Sequence, residues 1–290
     1  MHREITMTAG AALSRDAGSS PTRSDVDALA AAKSRLREDG WCVLPGVLAP
    51  ERTRDALDRL WAAAAESERR GVATHMPVLD PNASNVRVFN LLDMDPVFRA
   101  LVQHPTALDL VCSLLGPEFL ISNFTANIAR PGARSMPLHS DQAIVVPEPW
   151  LHPWAINIIW CLTDVRFENG ATLFLPGSHR FARRSDVPPD ALSHMRPFEA
   201  EAGSIIAMEG RVWHTSGANI TDDEDRALLF GYYTAPFLRP QVNWNVTLSP
   251  AVQAGLEPDM RRWLGLEAQA NVGLAGAAFA QAPTAAPRAE

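Results

Sequence analysis

Cysteine is scarce. Cys42, Cys112 and Cys161 are too few and too scattered for a disulfide framework or a zinc–cysteine site. Each sits in an apolar stretch and is expected as a buried, reduced thiol. Positive charge is also in short supply: 26 Lys and Arg face 33 Asp and Glu, a formal net charge of −7. No basic field is left to collect nucleic acid or an anionic membrane. Long hydrophobic runs are missing too. The stretch from Ala155 to Leu162, itself broken by Asn157, falls far short of a membrane span. At the N-terminus, Arg3, Glu4, Arg15 and Asp16 surround a short Ala/Gly run that lacks a signal-peptide core. No internal repeat is present. These absences predict a cytoplasmic protein, monomer or homodimer, that acts on a small molecule and binds neither nucleic acid nor membrane.

Hydrophobic residues make up 47% of the 290, enough for a large core around a ligand cavity. Composition divides the chain into a disordered tail at 1–23, one domain at 24–266 and a second disordered tail at 267–290. The front of the domain reads as helical. Ser24 caps a helix through Asp39, with Asp27 at the capping-box position and Gly40 as the stop. Trp41 to Leu48 reads as a strand, and Pro50 opens a second helix to about Arg70. Asp95-Pro96 starts a further helical stretch, divided near Pro105 and ending at Gly116. Beyond Gly116 the pattern changes to short runs of β-branched, aromatic and aliphatic residues: Phe119–Ala129, Ala155–Val165, Ala171–Leu175, Ser204–Met208 and Ala227–Ala235. The fold class is mainly β with flanking helices, and a double-sheet jelly roll (cupin-like) fits best, with sandwich and closed barrel as alternatives.

Chemistry concentrates in three places. His139-Ser140-Asp141 puts an imidazole and a carboxylate two residues apart, on one side of an extended segment about 7 Å apart at Cα. His214 follows an apolar strand and the turn Glu209-Gly210-Arg211. Two imidazoles and one carboxylate on one face of an octahedron leave three positions open, which suits ferrous iron in an oxygenase. His-x-Asp alone is weak evidence, since it is also met in polar turns. Arg226 strengthens it by opening an apolar strand beyond His214, where a guanidinium can hold a carboxylate through two parallel hydrogen bonds. The competing reading pairs Arg226 with the acidic run Asp222 to Asp225.

Between Asp39 and Pro240 the sequence resembles the phytanoyl-CoA dioxygenase family of iron(II)/2-oxoglutarate oxygenases, natural-product members included. The resemblance rests on Glu38-Asp39-Gly40-Trp41 with Leu44-Pro45-Gly46-Val47, and on Pro137-Leu138-His139-Ser140-Asp141-Gln142. It continues through Asn169-Gly170-Ala171-Thr172, Pro176-Gly177-Ser178-His179, Trp213-His214-Thr215-Ser216-Gly217 and Arg226. It implies a double-stranded β-helix core, with Fe(II) held by His139, Asp141 and His214 and with 2-oxoglutarate and dioxygen as co-substrates. It implies that Arg226 takes the distal carboxylate of 2-oxoglutarate, with Thr172, Ser216 and Asn127 beside the co-substrate. The implied chemistry is oxidative decarboxylation to succinate coupled to hydrogen removal from a C–H bond. Asp141 argues against halogenation, which needs that position for halide. One departure is Met136, where many natural-product members carry Gln. His179 reads as a turn residue bonded to backbone.

Phe89, Met136, Leu138, Ile144, Val146, Trp150, Trp154 and Trp244 are the expected substrate contacts, with 145–154 as a lid. Ordinary core packing is the alternative for each of them. The expected substrate is a small lipophilic metabolite, with an acyl-CoA or lipid as the alternative. A zinc hydrolase with the same ligands, or a ligand-binding protein without activity, are readings from other classes.

Overall fold

A computed structural model describes residues 22–266. The expectations for 1–21 and 267–290 lie outside the described residues. In chain order the elements are α1 (Arg23–Asp39), β1 (Trp41–Leu44), α2 (Pro50–Arg69), β2 (Asn85–Val88), α3 (Leu91–Met94), α4 (Pro96–Val102), α5 (Pro105–Leu115) and β3 (Leu120–Ala129). They continue with β4 (Ala155–Cys161), β5 (Thr172–Phe174), β6 (Arg196–Pro197), β7 (Ile205–Glu209), β8 (His214–Ser216), β9 (Arg226–Thr234), α6 (Trp244–Thr247), α7 (Pro250–Ala254) and α8 (Pro258–Trp263).

The first helix starts earlier than its pattern indicates. Thr22 is the cap, closing a capping box with Asp25, so Ser24 and Asp27 already lie inside the helix. Gly40 ends it in the left-handed conformation, as expected. A Cβ at Gly40 would lie 2.5 Å from the His179 side chain. The His179 ring bonds the Glu38 carbonyl at 3.1 Å, and Arg180 donates to the same oxygen at 3.0 Å. Two motifs 140 positions apart thus meet as one structural joint, and His179 has the backbone role expected of it.

Strand alternation builds two cores from one sheet. The large sheet runs β1-β7-β4-β9-β3-β2, and a small sheet runs β6-β5-β8. Ile156, Ile158 and Trp160 of β4, with Ile205 and Ala207 of β7 and Ala227 and Leu229 of β9, face the helices. Their neighbours Ile159, Cys161, Ile206, Met208 and Leu228 face the other way and pack with Phe174 and Phe198 near the small sheet. Period-two side-chain direction is the cause, and each fully buried large apolar side chain contributes about 1.5–3 kcal/mol. Every strand pairing in both sheets is antiparallel. Two facing antiparallel sheets with helices outside form the jelly roll.

Cys42 and Cys161 are buried, and burial pushes both thiols up to about 12, so they stay protonated. Cys112 is only half-buried, at the edge of the helical core.

His104 caps α5 by accepting from the Thr106 amide and sits edge-on to Trp160 at 5.4 Å. Burial pulls it from 6.5 down to about 4, with Arg52 acting in the same direction. The folded state therefore disfavours the protonated ring. Stability from this group is fully present above pH 6.5 and is lost as pH falls toward 4, by no more than roughly 3 kcal/mol. Urea unfolding of His104→Asn, which keeps a capping acceptor, is expected to lose that part of the acid dependence. An unchanged pH profile would discard this account.

Candidate metal and co-substrate site

The two histidines are brought together by main chain. His139 and His214 exchange both backbone hydrogen bonds, at 3.0 and 2.7 Å, across an isolated antiparallel bridge. Residues directly opposite in such a pair project to the same side, and the two rings lie 4.2 Å apart. Each Nδ1 sits 2.9 Å from the carbonyl two residues earlier, Pro137 for His139 and Val212 for His214. A carbonyl only accepts, so each Nδ1 carries the proton and each Nε2 is a free lone pair. Asp141 opens a short 3-10 turn, and its Oδ1 lies 3.8 Å from both Nε2 atoms. That is too long for hydrogen bonds. All three ligand atoms fall within 4.8 Å of one another, and the group is the one among the described residues with a metal-type donor set. Burial lowers His214 to about 4 despite the Asp141 charge, so its ring is neutral at pH 7. Asp141 Oδ2 accepts from Asn157 Nδ2 at 2.9 Å, which turns Oδ1 toward the histidines. Two fixed imidazoles and an oriented carboxylate fit a divalent metal.

The three groups line a cavity of about 490 Å³, together with Arg226, Asn127, Thr172 and Ser216. Thr172 and Ser216 face each other in register across β5 and β8. Ser216 Oγ accepts from the Met136 amide at 3.0 Å. Arg226 is 1% exposed. It donates to Gly170 O, Asn127 O and Asn127 Oδ1 at 3.1, 3.2 and 3.1 Å, all neutral acceptors. Among the described residues no carboxylate pairs with it. Glu224 of the acidic run pairs with Arg166 instead. Burial lowers Arg226 to about 10, so it is still a cation at pH 7. An unneutralised buried cation at a cavity wall is costly unless a ligand anion completes it.

Of the expected substrate contacts, Phe89, Met136 and Ile144 line the cavity. Leu138 and Trp150 do not. Leu138 is one residue before His139 and points to the opposite side, where it packs with Trp150, Trp154, Leu175 and Trp213 in a satellite cluster. Trp150 donates its Nε1 to the Val145 carbonyl. Trp244 lies in the main core and donates to Ile121 O, while Val146 is 80% exposed and does not line the cavity. Segment 145–154 is tied down by Gln142, which donates to His152 O and accepts from the Trp154 amide, both at 2.8 Å.

Several cavity residues escape sequence reasoning: Arg87, Asn123, Thr125, Asn157, Phe230, Tyr232 and Gln241. Arg87 forms a two-pronged ion pair with buried Asp80 at 2.7 and 2.9 Å. Tyr232 donates its hydroxyl to the Asp141 carbonyl at 3.2 Å. Asn123, Thr125 and Asn127 alternate along a largely apolar strand, and Asn157 interrupts another. Polar residues at period two within buried strands are the signal that marks them.

Comparison with known proteins agrees with this geometry. The phytanoyl-CoA dioxygenase family matches residues 36–227. Dioxygenase af480 of Aspergillus fumigatus is 54% identical over 235 residues, 81% of this chain and 76% of that protein. Dioxygenase trt7 of Aspergillus terreus is 28% identical over 209 residues, 68% of this chain and 70% of its own length. Among solved structures, the non-haem α-ketoglutarate-dependent carbocyclase SnoK from nogalamycin biosynthesis superposes with a TM-score of 0.60 at 24% identity, covering 76% of this chain and 90% of SnoK. The epimerase SnoN from the same biosynthesis gives 0.58 at 22%, covering 81% and 91%. These two likenesses speak to the fold. With the fold, the three-ligand cluster and two-thirds of the chain in agreement, the protein belongs to the phytanoyl-CoA dioxygenase family and is an oxidoreductase of the iron(II)- and 2-oxoglutarate-dependent dioxygenase type.

Proposed function

We propose that the protein hydroxylates an unactivated C–H bond of a small lipophilic metabolite in the cytoplasm, as a step of natural-product biosynthesis. His139, Asp141 and His214 hold ferrous iron, and Arg226, Thr172, Ser216 and Asn127 hold 2-oxoglutarate. The observation that carries this reading is a buried guanidinium without a carboxylate partner on the wall of the cavity that the three ligands share. When bound, ferrous iron with 2-oxoglutarate and dioxygen supplies the oxidant for C–H cleavage as the co-substrate becomes succinate and CO2.

The chain's own residues bind and orient. Arg226 has five N–H groups, and three are used on Gly170 and Asn127. One N–H on each Nη is left for a carboxylate. Asn127 Oδ1 accepts from Arg226, so its Nδ2, which has no protein partner, is a donor left for the same ligand. Phe89, Met136, Phe230 and Ile144 supply apolar wall and exclude water. The cavity cations Arg87 and Arg184 are both matched by carboxylates, Asp80 and Glu148, which speaks against phosphates of an acyl-CoA there. A zinc hydrolase would leave Arg226 without a purpose.

Incubation under air with ferrous iron, 2-oxoglutarate and a metabolite extract tests the proposal. Succinate formation that requires iron is expected, with one extract component gaining an oxygen atom. Zinc-dependent hydrolysis that needs no 2-oxoglutarate would replace this reading with the hydrolase.

A further inference from the structure

The cavity has two ends of opposite hydrogen-bonding character. Arg226, Phe230 and Tyr232 all line it from β9. Arg226 and Tyr232 are six residues apart, about 20 Å along a strand. The Arg226 end presents donors. At the Tyr232 end two amide oxygens, of Asn157 and Asn123, have no donor among the described residues, and the Gln241 amide lies beside them. Asn157 of β4 and Asn123 of β3 flank Tyr232 in register, one on either side. A register shift at Ser122 turns Asn123 onto the cavity face.

Asn157 is the best-defined group. Its Nδ2 donates to Asp141 Oδ2 at 2.9 Å. Turning the amide over would set its carbonyl against that carboxylate, two acceptors face to face, so the orientation is locked. Asn157 Oδ1 is therefore an acceptor. The side chain is 7% exposed, and Oδ1 has no donor among the described residues. Tyr232, its neighbour, has its hydroxyl committed to the Asp141 carbonyl. Across β9, Asn123 Oδ1 is likewise unmet while its Nδ2 is held by Gln241 at 3.0 Å. Thr125, opposite Phe230, lines the same end. Gln241, whose Oε1 holds Asn123, adds one further amide to that end, and Phe89, Phe230 and Met136 supply apolar wall.

Resting on the oxygenase reading above, we propose that the substrate is a lipophilic alcohol. Asn157 Oδ1 accepts from its hydroxyl and thereby selects it. A molecule held at Asn157 lies beside Asp141, so its oxygen-bearing region faces the metal ligands while its hydrocarbon part contacts Phe89, Phe230 and Met136. An ether or hydrocarbon of the same shape leaves the buried acceptor unpaired and is rejected. Asn157 is a specificity-determining residue for this site.

The test uses the full-length, iron-loaded enzyme with decalin and cyclododecane skeletons, each as alcohol, methyl ether and hydrocarbon. Succinate is measured without substrate and with each compound. Alcohols are expected to stimulate succinate formation about tenfold more than the matching ethers, the worth of one hydrogen bond. In Asn157→Leu the alcohol-to-ether ratio is expected to fall to about one. The ratio is taken within each variant, so weaker iron binding cancels. Thr125→Val gives a second reading, with a smaller fall expected. Equal stimulation by ether and alcohol in the native enzyme overturns the inference, as does no response to any alcohol while substrate-free succinate persists. Absence of succinate under every condition instead removes the oxygenase reading, and this inference with it.

Discussion

Asp141→Ala is expected to bring iron- and 2-oxoglutarate-dependent succinate formation down to background while the protein stays folded. Asp141 is the one carboxylate of the cluster, with Oδ1 3.8 Å from both Nε2 atoms. Without it two imidazoles remain, and no carboxylate of the cluster offsets the charge of a divalent ion. The fold has little stake in this side chain, which keeps 19% exposure and bonds only Asn157 through its carboxylate. Circular dichroism and thermal melting are therefore expected close to native. Asn157→Leu removes the outer partner and is expected to cost about 10–100-fold in iron affinity, the range for such support. The graded pair separates ligand from support. Native-level succinate from purified Asp141→Ala would end the assignment of this cluster to iron.

Arg226→Ala is expected to raise the 2-oxoglutarate KM roughly a hundredfold, from loss of two charge-assisted hydrogen bonds worth about 3 kcal/mol together. Iron binding measured without 2-oxoglutarate is expected to change little, because Arg226 touches Gly170 and Asn127 and none of the three ligands. Arg226→Lys keeps the charge and loses the planar fork, so partial recovery is expected. Thermal stabilisation by added 2-oxoglutarate gives an independent reading, since a ligand that binds the native state raises its melting temperature. That shift is expected to vanish in Arg226→Ala. An unaltered 2-oxoglutarate dependence would take away the role given to this residue, and the iron cluster would be unaffected by that outcome.

The helices and the main strands were legible in the chain because their signals are local. Gly40, Pro50, Pro96 and Gly116 act on their own backbone, and the apolar runs in Ala155–Cys161 and Arg226–Thr234 need no partner to be seen. The start of α1 lies two residues earlier than expected because Thr22 with Asp25 and Ser24 with Asp27 are equally able capping boxes in sequence. The short strands His214–Ser216 and Arg196–Pro197 are too brief to carry a period. Leu138 and Trp150 were misjudged for a related reason. Nearness to His139 along the chain says nothing about side, and one residue in an extended segment reverses it.

His139, Asp141, His214 and Arg226 could be named as candidates from residue type, order and the family resemblance, because metal ligands and a carboxylate-binding cation need those chemical groups and few others supply them. Their convergence, and the absence of a carboxylate beside Arg226, belong to the tertiary structure. So do the wall residues Asn157 and Tyr232, which stand opposite each other in register although 75 positions apart. A ligand's chemistry is a property of its side chain, whereas the shape and unmet hydrogen bonds of a cavity exist only where strands distant in sequence meet, and specificity is decided there.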